Sequence, residues 1–491
     1  MAHDFVVVGA GIGGLTLAAL LAARGLDVCL LERESEIGGC IKPLEHFGQS
    51  FEMTHGLFTG WEAGGIHEQV FTELSVPAPA VGRLNPAFAV RLPDGNDLLV
   101  TSDDEAFENY LLGTFPECAD AAVSFYRELA PLSKTLNRAL SRVPDLQSAD
   151  QKRQLSAFFP NVGAAFQALK AANTRVAEHL TDTSLSFRRF LDIQLQTFAG
   201  TTTDKCSYLH AALILEAARS SMFSIEGGVN ALTNALQAAL RERAGKLRLD
   251  TPVLRLARNS AGSVIGVDLL SGETVEAKRG VVSNLTVRDT FGKLVGLSQT
   301  PTEIRKKLNS LVGQGSFAIF AAIQRDAVAR LPSGRIFALT DWGAEGEYNP
   351  ELSQLNMTVS AGTEDSLPVT IHAPTDVSEW FTFHDDHAEL ERLDQEMLER
   401  CWERLHRTIP ELGDAIEVSE TFTPHDYYAR TRRRLGAVGP LPELTAPHPS
   451  SLLTHRTFLP NVWRVGDTVL PGIGLAGVTQ TALIVANEIC R

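Results

Sequence analysis

Short runs of apolar, β-branched residues alternate along the chain with longer stretches whose apolar positions fall three and four apart. Phe5–Val8 is the first such run. A glycine-rich turn follows, then the Ala- and Leu-rich stretch LTLAALLAARG closed by Gly25, then DVCLLE, a second apolar run ending in an acid. That order predicts strand, turn, helix, turn and strand within about 30 residues. From about residue 105 to 222 the pattern becomes helical. AAVSFYRELAPLSKTLNRALSRV and VGAAFQALKAANTRVAEHL carry apolar residues at helical spacing, and SFRRFLDIQLQTFAG and YLHAALILEAARSSMF read as further helices. After Gly227-Gly228 comes a helix stopped by Gly245, a strand around Val253–Leu256, and a β-meander that turns at Ser271-Gly272 and ends in a strand near Gly280–Ser283. Residues 300–450 mix predicted strands (SFAIFAAIQ, VTIHA, EWFTFH) with one long helix before Pro410, and the Pro-rich stretch Gly436–Ser451 reads as loop. The chain closes as strand, glycine-rich loop and helix. No repeat of fixed period is present.

Composition narrows the classes. At 491 residues the chain exceeds what a single core usually holds, so two to four domains or subdomains are expected. With 44% apolar and 21% charged residues it is an ordinary globular sequence. A net charge of −15 argues against nucleic acid as partner, because phosphate neutralisation needs a basic face. The same charge disfavours electrostatic attraction to anionic lipid, but not apolar contact with a membrane. The six cysteines form no C-x-x-C pair, so neither a disulfide framework nor a metal site is expected, and reduced thiols in a cytoplasmic protein are the simple reading. The first residues enter a strand without a basic signal region, and no stretch has the length of a spanning helix. The expected location is the cytoplasm, with a peripheral position on the inner face of the cell membrane as an extension.

Gly9-Ala10-Gly11-Ile12-Gly13-Gly14 contains G-x-G-x-x-G between a strand and a helix, and Glu32 follows Gly14 by eighteen residues at the end of the second strand. This context makes it a dinucleotide site. Gly9 allows the tight turn, Gly11 lets the backbone approach a pyrophosphate, and Gly14 lets the helix pack on the strand. The helix N-terminus then offers free N–H groups to phosphate. Glu32 would accept from the ribose hydroxyls. Other chemistry-bearing stretches read more simply. HDDH (His384 to His387) precedes a helix as an exposed N-cap segment with acids favouring the dipole, and RTRRR (Arg430–Arg434) reads as a solvated face.

Two further motifs bring in a resemblance. Glu32-Arg33 followed by Gly38-Gly39, and Gly466-Asp467 followed by PGIGLAGV (Pro471–Val478), together with the first motif resemble the two ends of the split FAD site of two-dinucleotide-binding-domain flavoproteins. The blocks RRFLDIQLQTFAG … EGGVNALTNAL, TPHDYYARTRRRLGAVGPLP and VWRVGDTVLPGIGLAGVTQTAL are similar to the phytoene desaturase, carotenoid isomerase and retinol saturase family, over nearly the whole chain. Among its branches the similarity is to bacterial carotenoid desaturases acting on terminal polyene bonds. Cys40 stands where many such proteins place an arginine, a variant shared with the isomerase and saturase branches.

The resemblance implies an α/β fold: a Rossmann-like, amine-oxidase-like FAD domain from 1–100, 223–300 and 452–491, a helical substrate- or membrane-facing region at 101–222, and a mixed α+β, sheet-containing substrate domain at 301–451. FAD contacts are implied at Gly9, Gly11, Ile12, Gly13, Gly14, Glu32, Arg33, Gly38, Gly39, Cys40, Val253, Gly466, Asp467, Gly474, Gly477 and Val478. The missing arginine implies weaker electrostatic hold on FAD or a donor elsewhere, Lys42 or Arg33. The reaction implied is oxidation of a C–C bond in a long apolar polyene, with hydride passing to flavin N5 and oxygen or a quinone as final acceptor. Because the polyene delocalises charge, little is asked of side chains; His55, in EMTHG after the Gly-Gly loop, is the candidate acid or base. LSAFFPNVGAAF, with Phe158, Phe159 and Val162, is the candidate monotopic lip. Reduced flavin driving isomerisation or saturation of a polyene is the alternative. Oxidation of a small amine, or flavin or lipid binding without turnover, ranks below both.

Overall fold

The computed structural model describes residues 2–143, 146, 151–159, 161–311, 313–343, 348–382 and 386–490. Two seven-stranded sheets organise them. In the first, His3–Val8 lies between Val28–Leu31 and Thr274–Ser283, parallel to both; Lys246–Arg248 extends the parallel part on one side and Val462–Arg464 on the other. Strands buried on both faces must be apolar throughout, and here the alternation assigns each side chain a layer. Phe5, Val7, Val28 and Leu30 pack beneath the helices Ile12–Ala23, Gly228–Glu242 and Gly474–Ile489. Val6, Val8, Cys29 and Leu31 pack against the antiparallel meander 253–277 and the loops beyond it. The helix Ile12–Ala23 is buried from Ile12 to Ala22, which explains why its sequence has no polar face.

The second sheet runs in the order 416–422, 315–324, 366–375, 354–359, 335–339, 88–91 and 97–100. Residues 88–100, expected to close the first segment of the cofactor domain, instead pair in this second sheet, where Ile336–Ala338 run parallel to Ala89–Arg91. One face, with Ile319, Ile336, Leu355, Met357 and Ile371, packs on Met397, Cys401 and Leu405 of the long helix His387–Thr408. Phe88, Val90 and Phe337 on the other face meet the helices Asp104–Thr114, Ala119–Arg142, Leu185–Ala199 and Tyr208–Ser220. The described part of EWFTFH, 379–382, is not a strand: Val377–Thr382 is helical, after Asp376 accepts from the Ser378 N–H, and Trp380 turns inward to stack on Phe317. His384 and Asp385 of HDDH lie outside the described residues; Asp386 caps the following helix by accepting from the Glu389 N–H.

Candidate functional site

The parallel strands of the first sheet end at one place. Val8-Gly9, Leu31-Glu32, Ser283-Asn284 and the turn after Arg464 all reach a cavity of about 560 Å³ that extends to the second sheet. Ligands in open α/β sheets bind at the carboxyl ends of strands.

Four glycine segments meet there. Gly38 N–H donates to the Ala10 carbonyl at 2.9 Å, so the two N-terminal glycine motifs are stitched together. Gly39 approaches so closely that a Cβ on it would lie 3.2 Å from the Gly11 Cα, and its φ is +64°. Asn284 fills the remaining space. It donates to the Gly9 carbonyl, and its amide lies 2.7 to 2.9 Å from where a Cβ on Gly11, Gly13 or Gly466 would stand. Gly14 and Gly477 are not on the cavity wall; a Cβ on either would strike backbone, of Gly9 and Gly472 respectively. Gly9, Gly11, Ile12, Gly13, Glu32, Arg33, Gly38, Gly39, Cys40, Val253, Gly466, Asp467, Gly474 and Val478 all line the cavity. The helices Ile12–Ala23 and Gly474–Ile489 both begin at this wall with no side chain capping their N-terminal N–H groups. A cradle in which a Cβ on Gly11, Gly13, Gly39 or Gly466 would meet a neighbour at 2.7 to 3.2 Å, with two uncapped helix N-termini, fits a diphosphate-bearing cofactor.

Glu32 does more than the fingerprint asks. One carboxylate oxygen accepts from the Ala10 N–H at 2.7 Å and the other from the Glu34 N–H at 3.0 Å, so it fixes the first turn before any ribose arrives. The donors expected to replace the missing arginine are engaged elsewhere: Arg33 with Glu34, and Lys42 with Glu36. The cation beside Cys40 is Arg433, which reaches the Asp467 carboxylate at 2.7 Å. Burial opposes its charge, but Asp467 and Cys40 hold its pKa above the ordinary value. Arg430 donates to the Lys42 and Pro43 carbonyls. Arg430 and Arg433 therefore turn toward the Gly-Gly-Cys loop, while Arg432 and Arg434 stay exposed, so the run is a solvated face only in part. Burial pushes the Cys40 thiol pKa up, which makes it a poor nucleophile. Arg433→Met leaves Asp467 without its partner. It is expected to lower stability by about 3 kcal/mol, seen as a urea-midpoint shift, and to release flavin at lower salt; an unchanged midpoint and unchanged flavin retention contradict this.

The far end of the cavity is a polar stripe on the second sheet. Gln354, Asn356 and Thr358 alternate with Leu355, Met357 and Val359, and His372 lies opposite Asn356 on the neighbouring strand. All four of these polar residues are buried. Gln354 donates to Thr197 at 2.8 Å and to Asn356 at 3.1 Å, and accepts from the Tyr348 hydroxyl. His55 joins this stripe: its Nδ1 is 2.7 Å from the Thr358 hydroxyl, and its ring centroid is 4.3 Å from that of His372. Burial, then the neighbouring His372 and Arg335, push its pKa well below the usual imidazole value, so it is neutral. The sequence signal for this stripe was the polar–apolar alternation of QLNMTV.

Leu155, Phe159, Phe166 and Leu169 are exposed on the segment 151–173, while Phe158 is partly buried; Pro160 and the Val162 side chain lie outside the described residues. Among the described residues no helix is long and apolar enough to cross a membrane, and no cluster of His, Cys, Asp and Glu has metal-ligand geometry.

Fold and site together define a flavin-dependent oxidoreductase with a split dinucleotide domain. The chain belongs to the flavin-containing amine oxidoreductase family, whose sequence model matches residues 12–490. Its cofactor is FAD. Among relatives, the prolycopene isomerase of Daucus carota is 23% identical over 508 residues, covering 99% of this chain and 80% of that protein. The all-trans-retinol 13,14-reductase of Homo sapiens is 22% identical over 533 residues, covering 99% and 86%. Among solved structures, an oxidoreductase from Methanosarcina mazei superposes with a TM-score of 0.65 at 17% identity, over 98% of this chain and 99% of that one.

Proposed function

We propose that this oxidoreductase acts on carbon–carbon bonds of a long, uncharged isoprenoid polyene. The observation that carries the reading is electrostatic. The cavity residues contributed by the second sheet, by Leu185–Ala199 and by 53–58 include no Asp, Glu, Lys or Arg. Their two histidines are kept neutral by burial, His372 with its pKa pushed down to about 3. A cationic amine entering here would find no counter-charge and would lose its hydration without return. An uncharged molecule binds by burial of Met53, Leu57, Phe58, Phe198, Leu475 and Val478 surface, worth roughly 25 cal/mol per Å². The relatives, named for a carotenoid and a retinoid, favour the same chemical class.

Bound FAD supplies a two-electron acceptor or donor at carbon. The chain's own residues hold it through the glycine cradle, set Asp467 with Arg433, and exclude water from the sheet end. Desaturation is the first reading. Isomerisation or saturation is the second, favoured by relatives named as an isomerase and a reductase. Anaerobic incubation of holoenzyme with polyenes separates them. Desaturation needs an added acceptor, such as a quinone, and shifts absorbance to longer wavelength. Isomerisation needs reduced flavin but consumes no electrons, and saturation shortens the chromophore. No change in any polyene under either regime sinks the proposal.

The exposed Leu155, Phe159, Phe166 and Leu169 give the helical region a means of resting on one leaflet, from which an apolar substrate is drawn. Holoenzyme is expected to float with zwitterionic vesicles and Phe159→Glu/Phe166→Glu to stay in solution; equal flotation of both counts against this.

A further inference from the structure

We infer that the substrate carries a hydroxyl group, which His55 and His372 hold between their Nε2 atoms. This rests on the polyene reading above and adds a functional group to it.

The two imidazoles are built as a pair. His55 comes from the segment after the strand Gln49–Phe51, and His372 from the middle of Ser366–Thr375. Their rings meet edge to face at 78°, and both line the cavity. Each is anchored through Nδ1 to a hydroxyl, His55 to Thr358 at 2.7 Å and His372 to Ser316 at 2.8 Å. Each Nε2 is buried and has no hydrogen-bond partner. The backbone carbonyls of Asn356 and Glu52 lie near the rings and favour protonation, but burial overrides them and both rings stay neutral.

Buried polar atoms without partners are rare, and each calls for a reason. Gln354 and Asn356 beside the pair are tied to each other and to Thr197. Among the described residues lining the cavity, the fully buried side-chain nitrogens and oxygens without a partner are these two ring nitrogens. A neutral imidazole whose Nδ1 meets a hydroxyl adopts either tautomer, because the hydroxyl hydrogen rotates to donate or leaves its oxygen to accept. One Nε2 can then donate while the other accepts. An alcohol does both through a single oxygen. A carbonyl satisfies only the donor and a hydrocarbon neither, leaving buried nitrogens unpaired. No charged side chain lines this end of the cavity, so an ammonium group would find no counter-charge there.

The test compares two probes on holoenzyme, all-trans-retinol and axerophtene, the same polyene ending in methyl. Binding is read from perturbation of the flavin absorbance. The wild type is expected to bind the alcohol about 10- to 100-fold more tightly. In His55→Phe/His372→Phe the preference is expected to fall below about 3-fold, with flavin content unchanged. Thr358→Val/Ser316→Ala keeps both rings but frees their Nδ1 atoms, and is expected to lose most of the preference. It serves if the first variant does not fold. Equal binding of both probes by the wild type overturns the inference and leaves the polyene reading standing. Failure of both probes to bind removes both. A preference retained in either folded variant, or flavin lost from the Phe variant, assigns the rings another role and overturns the inference.

Discussion

At pH 5 the protein is expected to have lost most of the stability it has at pH 7.5. Four histidines are responsible. Burial pushes His67 and His372 down to about 3, His210 to about 4, and His55 well below the ordinary value. The reasons are structural: His67 is stacked on Trp61 and donates to the Thr59 carbonyl, and His210 is enclosed in its helix beside Ser207. Because the folded values lie below the unfolded one, the unfolded chain takes up protons that the folded protein refuses. Stability from neutral burial is therefore complete above about pH 6.5 and is lost as pH falls toward the folded values. His67, His210 and His372 each lose about 2 kcal/mol by pH 5. Their sum, about 6 kcal/mol, compares with a total of roughly 5–15 kcal/mol for a folded protein. Asp192 and Asp394, whose pKa values are raised by burial, act in the opposite direction but are fewer. Urea midpoints followed by circular dichroism are expected to be level from pH 8 to 7 and to fall steeply below pH 6. A midpoint at pH 5 equal to that at pH 7.5 excludes this account.

Gly14→Ala is expected to yield protein that retains no flavin, although Gly14 does not line the cavity. A Cβ there would stand 2.0 Å from the Gly9 carbonyl oxygen and 3.1 Å from the Asn284 Cβ. Neither the strand end nor the helix backbone can yield by rotating a side chain. The helix Ile12–Ala23 must lift from the strand, which opens the gap between the Gly9–Gly13 turn and Asn284. Overpacking of this kind costs about 3 kcal/mol or more. Gly11→Ala meets only the Asn284 amide, at 2.9 Å, and is expected to be milder. Gly113→Ala, with nothing within 4 Å and an ordinary helical φ, is the control that keeps its flavin. Visible flavin absorbance per protein after gel filtration measures the order. Full flavin content in Gly14→Ala contradicts the close-packing argument.

What the sequence made legible followed from local sterics. Glycines that must pass backbone, apolar strands buried on both faces and an acid after the second strand are all written within a few residues. The closing motif Gly466-Asp467 was readable for the same reason. Asn284 was not, because one amide after a strand acquires meaning only when two glycine loops converge on it. Arg433 sits in a run of arginines whose composition suggests solvent; its burial depends on Asp467, which only the fold brings near. QLNMTV, not among the expected strands, carries the alternation of a strand with one polar face. Whether that face meets water or a cavity depends on Leu185–Ala199, distant in sequence. EWFTFH misled because aromatic residues favour strands, while Asp376 ahead of it starts a helix.

The packing of the first helix has a consequence for biosynthesis. Ile12–Ala23 is apolar all round and is covered in part by Gly474–Ile489, far later in the chain. Until that helix emerges, Ile12–Ala23 has only Ile66–Leu74 and Gly228–Glu242 to cover it. The cradle also lacks Asp467, its Arg433 partner and the second helix terminus until the end. FAD therefore has a complete site only once Gly474–Ile489 has emerged and packed. Until then one face of the first helix remains open to other apolar surfaces.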